Sequence, residues 1–118
     1  MSFDMSIERR WDDVAVVGIA GEFDLAAAPE VKTELSELVD DGVRELVVDM
    51  TETTFLDSTA LGAIVSAVKR LQSAGGELSL VCTDRSIVRI FEITGLDRVI
   101  PLHRSLDDAL SRLPLPIA

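Results

Sequence analysis

The chain has 118 residues, 47% of them hydrophobic and 27% charged, with a formal net charge of −10 and a single cysteine and a single histidine. That length holds one core rather than two, and its acidic balance repels phosphate backbones and anionic headgroups, so nucleic acid and membrane surfaces are excluded as ready partners. One Cys and one His exclude an internal disulfide and a structural zinc centre.

In chain order, Ser6 to Trp11 alternates as an edge strand with Ile7, Arg9 and Trp11 on one side. Asp12-Asp13 makes a two-residue turn, and Val14 to Ala20 is a second, more buried strand, so the chain opens with a hairpin. Gly21-Glu22-Phe23-Asp24 leaves that strand. Pro29 suits the first turn of a helix, where its missing N–H is not needed. Val31, Leu35, Leu38 and Val39 line one face of this helix while Lys32, Glu34 and Glu37 face out, and Asp40-Asp41-Gly42 stops it. Glu45 to Met50 reads as a buried third strand that runs through Thr51–Thr54 into Phe55-Leu56-Asp57-Ser58-Thr59-Ala60-Leu61-Gly62. Helical spacing begins there at once, with Leu61, Ile64, Val65, Val68 and Leu71, so Asp57 or Ser58 is the N-cap. Gly75-Gly76 ends the helix after about Ala74. Leu78 to Cys82 is strand four, with Cys82 as a small buried hydrophobe. Asp84-Arg85-Ser86 starts a third helix with Ile87, Ile90 and Phe91 buried and Gly95 at its end. Val99 to Leu102 is a short strand, and Ser105 to Asp108 resembles a capping box for a last helix bearing Leu106, Ala109, Leu110 and Leu113. Pro114 and Pro116 end the regular structure.

The order β-β-α-β-α-β-α-β-α predicts an α/β fold, a mixed but mostly parallel sheet with helices packed against it and an antiparallel edge strand from the hairpin. Neither repeat nor linker divides residues 1–118, so one domain is expected. Apolar runs are broken by Gly, Asp or Arg, and Met1 to Met5 lacks the flank and stretch of a signal peptide, so a cytoplasmic location is expected.

Parallel pairing of strands two and three brings the loops holding Asp24 and Ser58 to one rim, where open α/β sheets place their sites. Ser58 stands at the positive end of a helix dipole, which accommodates a phosphate. Ser58, Gly62, Ser66 and Lys69 trace the side of the helix away from its apolar stripe, leaving room for another protein. Asp24 and Asp57 read as a loop acid and a helix cap rather than a catalytic pair. A Ser58–His103 pair has no further motif behind it, and the chain has no Walker loop, GxGxxG or calcium loop. No catalytic residue, metal or cofactor is therefore expected.

Gly21-Glu22-Phe23-Asp24 and Phe55 to Gly62, at this separation and in this strand–helix order, resemble the STAS domain, a name that covers sulfate transporters and anti-sigma factor antagonists. Gly75-Gly76-Glu77-Leu78 and Val88 to Leu96 are similar to that family too, so the resemblance spans nearly the whole chain. With no transporter segment ahead of it, the chain is most similar to small, free-standing antagonists of bacterial anti-sigma factors. The resemblance implies a protein switch with no enzymatic activity of its own. The unphosphorylated antagonist binds an anti-sigma factor of the histidine-kinase-like ATPase type, and the sigma factor is freed. That anti-sigma factor, a serine kinase, phosphorylates the serine after the motif aspartate, here Ser58, and a metal-dependent serine phosphatase resets the switch. ATP and Mg²⁺ belong to the kinase. Asp24 matches the family's acidic position beside the phosphorylated serine, and Asp24, Asp57, Ser58, Thr59, Gly62 and Ser66 are the expected partner-binding residues. Ala60 stands where the family often has glycine, and Thr59 offers a second hydroxyl, so modification of Thr59 stays open. So do two other readings: a STAS module of a lipid-transport or stress-sensing assembly, and a small-molecule or nucleotide-binding domain that uses the rim around Asp24 and Ser58. An acidic surface without an uncovered apolar strip predicts a monomer when free.

Overall fold

The structure, a computed structural model, describes residues 2–11 and 13–113. Asp12 of the expected turn and the prolines Pro114 and Pro116 lie outside the described residues. Strands β1 (Phe3–Trp11) and β2 (Val14–Phe23) form the antiparallel hairpin, with Met5 opposite Ile19 and Ile7 opposite Val17. Then come α1 (Ala28–Asp40), β3 (Glu45–Asp49), β4 (Thr53–Leu56), α2 (Ser58–Ser73), β5 (Glu77–Val81) and α3 (Arg85–Thr94). A 3₁₀ turn (Leu96–Arg98), β6 (Leu102–His103) and α4 (Leu106–Ser111) complete the described chain. Among the described residues the sheet has six strands in the order β1-β2-β3-β5-β6, with β4 on β2, and every pairing beyond the hairpin is parallel.

Strand β2 serves two neighbours in turn. Val14 to Gly18 runs beside Glu45 to Asp49, and Gly21 to Phe23 runs beside β4. Within the β2–β4 pairing the register shifts between Gly21 and Glu22; Gly21 has a φ of +89°, and no side chain fits its place, because a Cβ would strike the Ser2 carbonyl.

Strand β4 corrects the expected element order, which ran strand three directly into the motif. Thr53 N–H turns back onto the Met50 carbonyl at 3.0 Å, and the buried Thr53 hydroxyl donates to the Ile19 carbonyl at 2.7 Å. That anchor makes Thr-Thr-Phe-Leu a strand too short to announce itself by periodicity. The expected strand Val99 to Leu102 shrinks to Leu102–His103, since Val99 follows the 3₁₀ turn and Pro101 has a carbonyl for Leu80 N–H (2.9 Å) but no N–H to return. Strand four likewise ends at Val81, although Cys82 N–H still reaches the His103 carbonyl at 3.0 Å.

Helices α1, α2 and α3 cover one face of the sheet. Val31, Leu35, Leu38 and Val39, then Ile64, Val68 and Leu71, then Ile87 and Phe91 are buried against Phe23, Leu46, Val48 and Leu80. Leu61, Val65 and Ile90 of the expected stripes are half-buried. Each such side chain contributes about 1.5–3 kcal/mol when fully buried. Helix α4 covers the other face, where Ala109 meets Val16, Val47 and Val81. The carboxyl ends of β2, β4, β5 and β6 share one edge, and the N-termini of α1 to α4 gather along it.

Candidate functional site

Phe23 pairs with Leu56, so Asp24 and Asp57 leave neighbouring strands side by side. The loop acid and helix cap roles both hold. Asp57 is extended (φ −108°, ψ −179°), and its Oδ1 accepts from Ala60 N–H at 2.9 Å, which makes it the cap of α2 and Ser58 the first helical residue. Its Oδ2 accepts from Leu25 N–H at 2.8 Å and so ties the loop before α1 to the start of α2. Asp24 Oδ1 accepts from the N–H groups of Ala26 (3.0 Å) and Ala27 (3.1 Å), which turns the chain into α1.

With Asp57 as cap, the Ser58 hydroxyl is exposed and makes no hydrogen bond among the described residues. Thr59 and Gly62 are exposed beside it. A Cβ on Gly62 would meet nothing within 4 Å, so neither backbone nor packing requires a glycine there, although one costs the helix about 1 kcal/mol against alanine. Ser66 lies about 12 Å along α2 from Ser58. It is half-buried in a cleft of about 80 Å³ between α1 and α2 that Lys32, Ser36 and Arg70 also line. The expected residues therefore divide: Asp24, Asp57, Ser58, Thr59 and Gly62 form one rim, and Ser66 sits on the helix seam.

Two residues of this rim went unread in the sequence. Leu25 is 68% exposed and Phe55 is 48% exposed, and they flank Asp57 in space and in sequence respectively. Phe55 stands next to the buried Leu56 in β4, and neighbouring residues of a strand point to opposite faces. The first-turn N–H groups of Ser58 and Thr59 have no intrahelical acceptor, and α2 has no acid in its first turn. An anion on Ser58 would gain from the helix dipole but stand beside Asp57.

His103 lies at the far end of the same edge, with Nδ1 3.1 Å from Asp108 Oδ2, and shares no site with Ser58. Cys82 is buried, and that burial pushes its thiol pKa up, away from thiolate chemistry. Among the described residues no group of His, Cys, Asp and Glu could hold a metal ion, and no helix is long and apolar enough to cross a membrane.

A mixed, mostly parallel sheet with helices on both faces, and an exposed serine beside the Asp57 cap at one edge, defines a small α/β module. The chain matches the family model of the STAS domain over residues 7–109 and belongs to that family. It is 38% identical over 103 residues to the anti-sigma-B factor antagonist of Listeria monocytogenes, covering 86% of this chain and 90% of that one. It is 31% identical over 102 residues to the Bacillus subtilis protein of the same name, covering 86% and 92%. The fold superposes on the crystal structure of an anti-sigma factor antagonist from Mycobacterium paratuberculosis with a TM-score of 0.84 at 32% identity, covering 93% and 92%.

Proposed function

We propose that the chain, as one STAS domain over residues 1–118, is a cytoplasmic anti-sigma factor antagonist that works by binding and catalyses no reaction. Its unphosphorylated form binds an anti-sigma factor that is also a serine kinase, and the sigma factor is released. Phosphorylation of Ser58 by that kinase switches binding off, and a serine phosphatase restores it. The observation that carries this reading is the division of labour at α2: Asp57 caps the helix and leaves the exposed Ser58 hydroxyl with no structural task. Asp24, Asp57, Thr59, Gly62 and Ser66 complete the docking surface, to which Leu25 and Phe55 add apolar area.

Phosphorylation adds about −1.5 to −2 charges where dipole and free N–H groups favour them, so the fold survives and release comes from the interface. A dianion must be desolvated, or must face an acid, when the partner docks. The test is incubation with an ATPase-type anti-sigma factor and ATP, followed by mass spectrometry. One phosphate on Ser58 is expected, Ser58→Ala should bind the partner constitutively, and Ser58→Asp should bind about tenfold more weakly, or about 1.4 kcal/mol. A phosphate on Thr59 moves the switch by one residue. An absence of both modification and binding overturns the reading.

A further inference from the structure

The same edge of the sheet holds a second candidate site. β5 and β6 are adjacent and parallel, yet the helices that follow them go to opposite faces. α3 buries Ile87 and Phe91 in the three-helix layer, whereas α4 sets Ala109 against Val16, Val47 and Val81. This divergence is a topological switch point, where open α/β sheets leave a crevice outside the carboxyl ends of their strands. After β2 and β4, by contrast, α1 and α2 stay on one face.

The crevice is present. A cavity of about 440 Å³ opens there, within the range of roughly 300–1,000 Å³ typical of small-molecule sites. Val88 and Leu102 give it apolar wall, and Arg85, Arg104 and His103 line it with Glu92 as the acid among them. That lining runs against the chain's net charge of −10. Among the described residues Arg85 and Arg104 form no ion pair, and neither do Arg44, Arg89 and Arg98; of these five, Arg85 and Arg104 line the cavity. Asp108 holds His103 through Nδ1, which leaves Nε2 as the ring nitrogen available to a ligand. The helix end contributes little, because Asp84 accepts from the N–H groups of Ser86 (2.9 Å) and Ile87 (3.3 Å). Side chains, not backbone amides, would hold an anion here.

We propose that the β5–β6 crevice binds a small organic anion, a phosphate monoester or carboxylate with an apolar body, held by Arg85 and Arg104 beside His103. Planar guanidinium groups match both headgroups with paired N–H donors, and Val88 and Leu102 receive the apolar part. The site stands apart from Ser58 and does not depend on the partner-switching reading.

The experiment is an amide-resolved NMR titration of the full chain with phenyl phosphate, with benzoate, and with phenol as the neutral control. Saturable shifts at Cys82 to Ser86 and His103 to Ser105 are expected with one or both anions and not with phenol. The two anion arms separate phosphate from carboxylate recognition. The double variant Arg85→Gln, Arg104→Gln should weaken binding about tenfold or more. Both arginines are exposed, so unchanged core amide signals will show that the variant is folded. No saturable shifts at these amides, equal response to phenol, or undiminished binding by the double variant overturns the proposal. Loss of partner switching in the Ser58 experiments leaves it untouched.

Discussion

Two ends of one sheet edge solve opposite problems. At the β2–β4 end, carboxylates of Asp24 and Asp57 are engaged by backbone N–H groups, and a serine hydroxyl stands free. At the β5–β6 end, Arg85 and Arg104 carry no ion pair among the described residues and line a cavity. Helix direction separates them. α1 and α2 turn onto the same face and pack beside each other, whereas α3 and α4 go to opposite faces and leave a cavity between them.

The largest expected effect tests whether the first end is stitched as described. Asp57→Ala removes both the α2 cap and the tie to Leu25, and should cost about 2 kcal/mol in urea unfolding. Asp57→Asn keeps one side-chain acceptor and should lose less. A loss below about 0.5 kcal/mol for the alanine variant would place it among ordinary surface changes and break the contrast between the two ends.

Ser58→Ala sharpens it from the other side. Because the hydroxyl has no partner among the described residues, its removal should change stability by less than about 0.5 kcal/mol. A destabilisation near 2 kcal/mol would mean that Ser58, not Asp57, caps the helix. Asp24→Asn keeps the acceptor that turns the chain into α1, so its melting temperature should stay close to that of the parent. Its charge is lost, and binding or phosphorylation by the partner should fall. Parental activity in a kinase assay would discard the site role, and severe unfolding would make Asp24 structural.

Much of this molecule was legible because its helices obey strict spacing: Val31, Leu35, Leu38 and Val39 went where period 3.6 sent them. The rim around Asp24 and Ser58 was legible too, although through a different route. β4, not β3, delivers Ser58 to it, and four residues anchored by one buried threonine hydroxyl carry too few repeats to be read as a strand. Leu25 and Phe55 were missed because exposure of an apolar side chain depends on the strand beneath it. The crevice at Arg85 and Arg104 left no mark in local pattern, since it arises from the faces to which two helices separated in sequence are sent.

A small effect of known sign lies on the opposite, amino edge, and serves as a control on both ends. Glu45 begins β3 beside Glu77 of β5. Burial first, then the charges of Glu77 and Asp13, push its carboxyl pKa above the ordinary value of 4.5. The folded state therefore disfavours the ionised form, and the penalty is fully present above the raised folded value. It fades as pH falls through that value and is gone below the unfolded value near 4.5. Glu45→Gln should thus be more stable than the parent near neutrality, by about 0.5 kcal/mol or less. The two proteins should converge under acid. Urea midpoints measured near neutrality and below the ordinary carboxylate pKa decide the matter. A glutamine variant that is less stable near neutrality would mean that the carboxylate has a favourable partner, reversing the sign. Phenyl phosphate binding at the crevice and phosphorylation at Ser58 should be the same in parent and variant, because Glu45 lies at the other end of the strands from both.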